Sequence, residues 1–114
     1  MKKIILDCDP GQDDAVALAL AMAAKDEIEI LGVTTVAGNV PLNLTQRNAR
    51  IMCEMCHRSD VKVYAGAEKP MAQELVTAEH VHGKSGLDGI EIYEPSHSLE
   101  EKHAIDFIIE SCLA

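Results

Sequence analysis

The hydrophobic positions of the chain alternate between short apolar runs and helical patterns. Residues 3–7 form an apolar run that ends in polar turn residues, and residues 28–36 form a second run rich in β-branched side chains. Such runs are typical of strands that are buried on both faces of a parallel sheet. A third short run at residues 61–65 completes three predicted strands.

Helical patterns separate these strands. Residues 13–25 are mostly strong helix formers, with two acids at the positive N-terminal end and Lys25 closing the last turn. Pro41 is predicted in the first turn of a second helix that runs to about His57, with an apolar side marked by Leu44, Ile51, Met52 and Met55. This order predicts an α/β fold that is Rossmann-like, with a mostly parallel sheet, right-handed crossovers and flanking helices.

The later part of the chain has no sustained period before a final helix. Residues 67–97 contain His80, His82 and three glycines, and the stretch is longer than the ~12 to 15 residues of an ordinary connection. We interpret it as a functional or disordered loop. Residues 98–101, Ser-Leu-Glu-Glu, have the form of a capping box for a helix whose apolar face holds Ala104, Ile105, Ile108, Ile109 and Cys112.

The last helical pattern continues to the final residue without a glycine cap or a polar tail. A sheet of three parallel strands also leaves an edge and an apolar face to be covered. We therefore expect residues 1–114 to form a single α/β domain that is the N-terminal portion of a longer one. A missing C-terminal portion or a second copy in a homo-oligomer would then complete it.

Composition narrows the choice of partners. The 114 residues are 47% hydrophobic, which is enough for a single packed core. Nineteen acidic against ten basic residues give a formal net charge of -9, so nucleic acid and anionic membranes are not expected as partners. No apolar stretch approaches the ~20 residues that span a bilayer, and we expect a cytoplasmic protein with free thiols.

Four aspartates are concentrated at the end of the first predicted strand and just after it. Asp7, Asp9, Asp13 and Asp14 lie within eight residues, and a Pro-Gly turn folds the strand end back against the helix start. The helix dipole favours negative charge at the last two of these positions, but the remaining repulsion requires a cation or raised pKa values. A simpler interpretation, that two acids only begin a helix, leaves the other two unexplained.

The oxygen ligands of this cluster favour a hard cation. A site of carboxylates, carbonyls and waters suits Ca²⁺ better than Mg²⁺, and Gly11 stands where an EF-hand loop requires a ligand. Asn39 follows the second strand and falls on the same carboxyl edge of the sheet, where ligands bind in such folds. A cation beside Asp9 suggests metal-assisted hydrolysis, in which a carboxylate removes a proton from a bound water.

Four segments of the chain match one protein family in order and at natural spacing. They are Ile-Ile-Leu-Asp-Cys-Asp-Pro-Gly-Gln-Asp-Asp-Ala at residues 4–15, Thr-Thr-Val-Ala-Gly-Asn at 34–39, Val-Tyr-Ala-Gly at 63–66 and the glycine-rich stretch at 80–89. Together they resemble the N-terminal portion of the inosine-uridine preferring nucleoside hydrolases. The resemblance implies an enzyme that hydrolyses the N-glycosidic bond of ribonucleosides to free base and ribose.

The resemblance also implies roles for individual residues. Asp9 would bind calcium and act as the general base for the attacking water, and Asp14 would be a second calcium ligand. Asp13 and Asn39 would hydrogen-bond the ribose hydroxyls of the ribonucleoside substrate.

The resemblance implies roles for two further residues, and the chain differs from the family in its length. His82 would lie near the leaving base in a mobile wall, and Asp7 would support the site from behind. Family members continue well beyond residue 114, and their later residues complete the calcium shell and the protonation of the leaving group. The resemblance therefore implies that the chain alone has little or no hydrolase activity.

Other interpretations stay open at this point. In a haloacid dehalogenase-like phosphatase, Asp7 would be the nucleophile, Asp9 the acid/base and Mg²⁺ the metal, but the other polar residues of the site would have no role. The chain could also be a non-catalytic, truncated module that binds calcium or ribose. The segment 53–57, Cys-Glu-Met-Cys-His, matches the spacing of haem attachment, although two packed helix residues are the simpler interpretation.

Overall fold

A computed structural model describes residues 1–77, 86–87 and 92–114. Within these ranges, three strands alternate with helices in the order β1 (Lys2–Cys8), α1 (Gln12–Ala23), β2 (Ile28–Thr35), α2 (Leu42–Met55), β3 (Val63–Ala65) and α3 (Ala104–Leu113). The predicted α/β class is confirmed, and the first five elements lie close to their predicted bounds. None of the helices in the described ranges has the length and apolar character needed to cross a bilayer.

The three strands form one parallel sheet in the order β1-β2-β3. β1 pairs with β2 up to Cys8 opposite Thr35, and β2 pairs with β3 up to Thr35 opposite Ala65. Because all strands run in one direction, their carboxyl ends meet at the same edge. The segments that follow β1 and β2 therefore leave the sheet side by side.

One face of the sheet packs against α1 and α2. The buried residues of this core are Leu18, Met22, Val33, Ala49, Met52, Cys53, Val61 and Val63. Two details of the helices differ from expectation. α1 ends at Ala23, so Lys25 lies beyond its last turn, and Met55 is 50% exposed. Ala49 and Met52 pack in the core, whereas Met55 is the last residue of α2.

The other face of the sheet packs against α3. The rings of Tyr64 on β3 and Phe107 on α3 stack with centroids 3.9 Å apart and an interplanar angle of 11°. Gly32 on β2 leaves room for this pair, since an added Cβ would lie 2.7 Å from Cζ of Phe107. The sheet therefore carries helices on both faces, as parallel sheets require.

The predicted start of the last helix is wrong. α3 begins at Ala104, and its N-cap is His103, whose Nδ1 accepts a hydrogen bond from the Ile105 N–H at 3.1 Å. Leu99 instead forms a parallel bridge with Val63. The predicted capping box therefore pairs beside the sheet and does not begin the helix.

The predicted apolar face of α3 is also partly wrong. Ala104 and Phe107 are buried, whereas Ile105 and Ile109 are about half exposed and Cys112 is exposed. The contact with Tyr64 selects the side of the helix that carries Phe107. All four cysteines of the chain are free, as predicted.

Candidate active site

The segments that follow β1 and β2 meet at the carboxyl edge of the sheet. The backbone N–H of Asn39 donates to Oδ2 of Asp9 at 2.9 Å, and Nδ2 of Asn39 donates to the backbone carbonyl of Asp9 at 2.7 Å. These bonds join residues 30 positions apart. The predicted convergence of Asp9 and Asn39 is therefore observed, and Asn39 fixes both the carboxylate and the backbone of Asp9.

Gly38 allows this close approach. A Cβ at this position would lie 2.1 Å from Oδ2 of Asp9, well inside contact distance. The Gly38 N–H donates to the Val40 carbonyl at 3.1 Å, which holds the turn after β2 against the carboxylate. The backbone of this turn therefore forms one wall of the site, and a side chain at residue 38 would displace Asp9.

Asp14 approaches Asp9 from the first turn of α1. Partial burial, the negative charge of Asp9 and a side-chain hydrogen bond with Asp9 raise the pKa of Asp14. Two carboxylates that share a hydrogen bond must also share a proton unless a cation neutralises them. The Asp9–Asp14 pair thus combines two carboxylates that can act as metal ligands with a local excess of negative charge.

Asp13 directly precedes Asp14 in the first turn of α1. Its side chain is exposed, and its charge adds to the rise in the pKa of Asp14. An exposed carboxylate beside the pair can accept hydrogen bonds from a ligand that enters from solvent.

Asp7 lies within β1, as the predicted strand at residues 3–7 implies. Oγ1 of the buried Thr34 on β2 donates to Oδ1 of Asp7 at 2.8 Å. The side chain of Asp7 is exposed, and strand alternation places it on the same face as Ile5, on the side of α3. Its hydrogen bond therefore ties β1 to β2 at the edge of the site.

The thiol of Cys8 lies among these acids. Burial and the charges of Asp14, Asp7 and Asp9 raise the pKa of Cys8 to about 12. The thiol is therefore neutral at physiological pH and is not a nucleophile of this site.

The donor chemistry of this edge fits part of a calcium shell. Asp9 and Asp14 offer carboxylate oxygens, which Ca²⁺ prefers, although the ion takes about six to eight oxygen ligands. Over residues 1–77, 86–87 and 92–114, no group of three or more His, Cys, Asp or Glu side chains could hold a metal ion. The described part of the chain thus offers a carboxylate pair rather than a complete metal centre.

Two residues complete the account of the site. His82, predicted near the leaving base, lies outside the described residues. Asn48, which the sequence patterns did not single out, is fully buried in α2 and contacts the acidic turn through the Pro10 carbonyl. The only sequence signal that could have pointed to Asn48 is that it is a polar residue among the apolar positions of a helix.

Comparisons with known proteins point to one family. The family model described as "Inosine-uridine preferring nucleoside hydrolase" matches residues 4–114 of the sequence. An uncharacterized protein of Schizosaccharomyces pombe is 54% identical over 109 residues, and the inosine-uridine preferring nucleoside hydrolase of Crithidia fasciculata is 45% identical over 111 residues. Each match covers 96% of this chain and 35% of the relative, so the chain spans roughly a third of their length.

Solved structures give the same result. The purine-preferring ribonucleoside hydrolase from Gardnerella vaginalis superposes with a TM-score of 0.83 at 34% identity, over 96% of this chain and 36% of that one. A plant nucleoside hydrolase superposes with a TM-score of 0.83 at 33% identity, over 96% of this chain and 35% of that one.

Proposed function

Since the chain belongs to the inosine-uridine preferring nucleoside hydrolase family, we propose that it provides the calcium-binding and ribose-binding part of an active site that hydrolyses ribonucleosides. The bond cleaved would be the N-glycosidic bond, and the products would be free base and ribose. The observation that carries this proposal is the close approach of Asp9 and Asp14, with Asp9 held in place by Asn39.

Calcium is the cation that we assign to the carboxylate pair. Asp9 and Asp14 would each give it oxygen ligands, and the positive charge would offset the repulsion that, after burial, raises the pKa of Asp14. When bound, calcium lowers the pKa of a ligated water and so makes it a better nucleophile.

Asp9 is the residue that we assign as general base. Asn39 donates to Oδ2 of Asp9, so the carboxylate has a fixed orientation from which it can take a proton from the attacking water. The water oxygen bonds to the anomeric carbon, and the base departs with the electron pair of the broken C–N bond. Nearby carboxylates stabilise the positive charge that develops on the sugar ring.

Ribose would be held by Asp13 and Asn39. Asp13 is exposed and can accept hydrogen bonds from two sugar hydroxyls. Nδ2 of Asn39 donates to the Asp9 carbonyl, so we assign its Oδ1 as the acceptor for a ribose hydroxyl. We keep His82 as a neighbour of the leaving base, and Asp7 as a support that ties β1 to β2 through Thr34.

Calorimetric titration with Ca²⁺ tests this assignment. We expect the wild-type chain to bind one ion, and we expect Asp9→Asn and Asp14→Asn to weaken binding by roughly tenfold or more. Asp106→Asn is the matched control, because Asp106 is an exposed acid in the first turn of a different helix, α3. Unchanged affinity in both site variants, or no binding by the wild-type chain, would contradict the proposal.

A second measurement addresses the sugar and the chemistry. With Ca²⁺ present, ribose should produce larger NMR shifts in the side-chain amide of Asn39 than 2-deoxyribose, because one hydroxyl is missing from the latter. Equal shifts would argue against ribose recognition by Asn39. Release of phosphate from an aryl phosphate with Mg²⁺ would instead support a phosphatase.

A further inference from the structure

A buried amide joins the acidic turn to α2. Asn48 lies in the middle of α2 and is fully buried. Its Nδ2 donates to the carbonyl of Pro10 at 3.1 Å, across 38 positions of sequence. Pro10 is itself fully buried and directly precedes Gly11, the N-cap of α1. The contact therefore acts on the backbone between Asp9 and α1.

The start of α1 lacks the usual local support. Gly11 has no side chain that could accept a hydrogen bond from the first helical turn. Two asparagines from other segments hold the turn instead. Asn39 donates to the carbonyl of Asp9 at 2.7 Å, and Asn48 donates to the next carbonyl, that of Pro10. Consecutive carbonyls of the acidic turn are thus each fixed from a different direction.

Gly86 covers this arrangement. It has a φ of +84°, and a Cβ at this position would lie 2.9 Å from Nδ2 of Asn48 and 3.3 Å from the Pro10 carbonyl oxygen. The backbone of Gly86 therefore lies directly against the Asn48–Pro10 hydrogen bond. Burial makes the loss of such a bond costly, because water does not replace the missing partner.

We propose that Asn48 is a positioning residue for the Asp9–Asp14 pair. Asp9 immediately precedes Pro10, whereas Asp14 lies in the first turn of the helix that follows. Rotation of the peptide after Pro10 would swing the helix start, and with it Asp14, relative to Asp9. By fixing the Pro10 carbonyl, Asn48 sets the separation of the two carboxylates. This inference rests on the proposed function, since it takes the two aspartates as the cation ligands.

The test compares variants of Asn48 with a control in the same helix. Asn48→Ala removes the amide, and Asn48→Leu keeps a similar volume but has no group that can donate to Pro10. Thr45→Val is the control. Thr45 is equally buried one turn earlier in α2, and its Oγ1 hydrogen bond goes to Leu42 within its own helix turn.

Two readouts separate positioning from a general structural role. Calorimetry measures the affinity for Ca²⁺, and amide hydrogen exchange in cation-free protein measures protection of the Ala15 N–H, which donates to the Gly11 carbonyl at 3.0 Å. We expect both Asn48 variants to weaken calcium binding and to speed Ala15 exchange, each by about tenfold or more. Thr45→Val should lower the stability of the protein but leave the affinity for Ca²⁺ unchanged. It should also leave Ala15 exchange unchanged when the proteins are compared under conditions of equal stability.

The outcomes are distinguishable. The inference is overturned if the Asn48 variants change both readouts no more than Thr45→Val does. If the wild-type chain binds no calcium, the proposed function fails, while exchange at Ala15 still decides whether Asn48 holds the turn. If neither Asn48 variant folds, Gly86→Ala replaces them, because its Cβ would press on the same hydrogen bond, and unchanged exchange at Ala15 would then overturn the inference.

Discussion

At the scale of single residues, the Asp9–Asp14 pair destabilises the cation-free protein. Burial and the charge of Asp9 raise the pKa of Asp14 above its ordinary value of 3.8, so the folded chain holds this proton more tightly than the unfolded chain does. The free energy of unfolding therefore falls as the pH rises from 3.8 through the raised pKa. Above that range the full destabilising effect is present.

Asp14→Asn should relieve this repulsion. We expect the variant to stabilise the cation-free chain at pH 7 by about 0.5 kcal/mol, a small value because solvent screens a partly exposed pair. Asp106→Asn is matched to it, since Asp106 is likewise the third residue of its helix. That variant should lose about 0.3 to 1 kcal/mol of helix-dipole stabilisation instead. Urea denaturation at pH 7 measures both, and equal destabilisation by the two variants would refute the repulsion.

Gly38→Ala should damage the site more than the fold. The added Cβ would overlap Oδ2 of Asp9, so the carboxylate must turn away and lose the N–H of Asn39. We expect affinity for Ca²⁺ to fall by roughly tenfold or more, as measured by calorimetry. Gly32→Ala, which meets Phe107 in the core instead, should leave the affinity unchanged. Wild-type affinity in Gly38→Ala would show that the carboxylate can adapt.

The sequence predicts the convergence of Asp9 and Asn39 better than the contacts that surround them. Asp9 and Asn39 could be placed together because each follows a strand, and parallel strands end at one edge. The contact of Asn48 with Pro10 could not be predicted, because periodicity marks the apolar side of a helix but not the distant carbonyl that a polar residue on it meets. Likewise, a strand pattern alone does not reveal that Asp7 would pair with Thr34.

At the scale of elements, α3 shows tertiary contacts overriding a local signal. Residues 98–101 have the spacing of a capping box, yet Leu99 pairs with Val63 beside the sheet. Apolar residues occur on more than one side of α3, so the pattern alone left its buried face ambiguous. The stack of Tyr64 on Phe107 resolves it. The strands could be predicted from their apolar runs, α1 from its strong helix formers and N-terminal acids, and α2 from Pro41 and its apolar side.

The cap of α3 gives a direct test of this account. His103→Ala should lower the free energy of unfolding by about 1 kcal/mol, because the Ile105 N–H loses its side-chain acceptor. His103→Asn should keep most of the stability, since asparagine is a good cap. Ser98→Ala should be nearly neutral. Thermal denaturation checks all three, and a larger loss in Ser98→Ala than in His103→Ala would restore the capping box.

The contact between β2 and α3 depends on the absence of a side chain at Gly32. Gly32→Ala would place a Cβ 2.7 Å from Cζ and 2.8 Å from Cε2 of Phe107. We expect a loss of about 1 to 3 kcal/mol in stability, as is usual for overpacking. Chemical denaturation of the double variant Gly32→Ala/Phe107→Leu provides the control, because it should be more stable than the sum of the single effects predicts. Strict additivity would argue against a steric cause.

At the scale of the whole molecule, apolar side chains remain exposed on two helices. Val16 and Leu20 on α1 are 70% and 72% exposed, and Ile105, Ile109 and Leu113 on α3 are at least half exposed. Such stripes at helical spacing are typical of surfaces that contact other parts of a protein. We predict that further chain or a second copy in a homo-oligomer covers these surfaces. Sedimentation of the 114-residue protein would test for the second copy.

Calcium should stabilise the whole molecule without giving it fast turnover. A ligand that binds only the folded state at 100 times its Kd adds about 2.7 kcal/mol to the free energy of unfolding, so Ca²⁺ should raise the melting temperature of the wild type more than that of Asp14→Asn. Turnover needs more, because the two carboxylates assigned here supply only part of a shell of about six to eight oxygens. An incompletely held ion leaves the water and the sugar poorly aligned, and alignment contributes much of the rate. We therefore expect the 114-residue chain to release little or no free base from inosine or uridine, and rapid release would show that its own residues suffice.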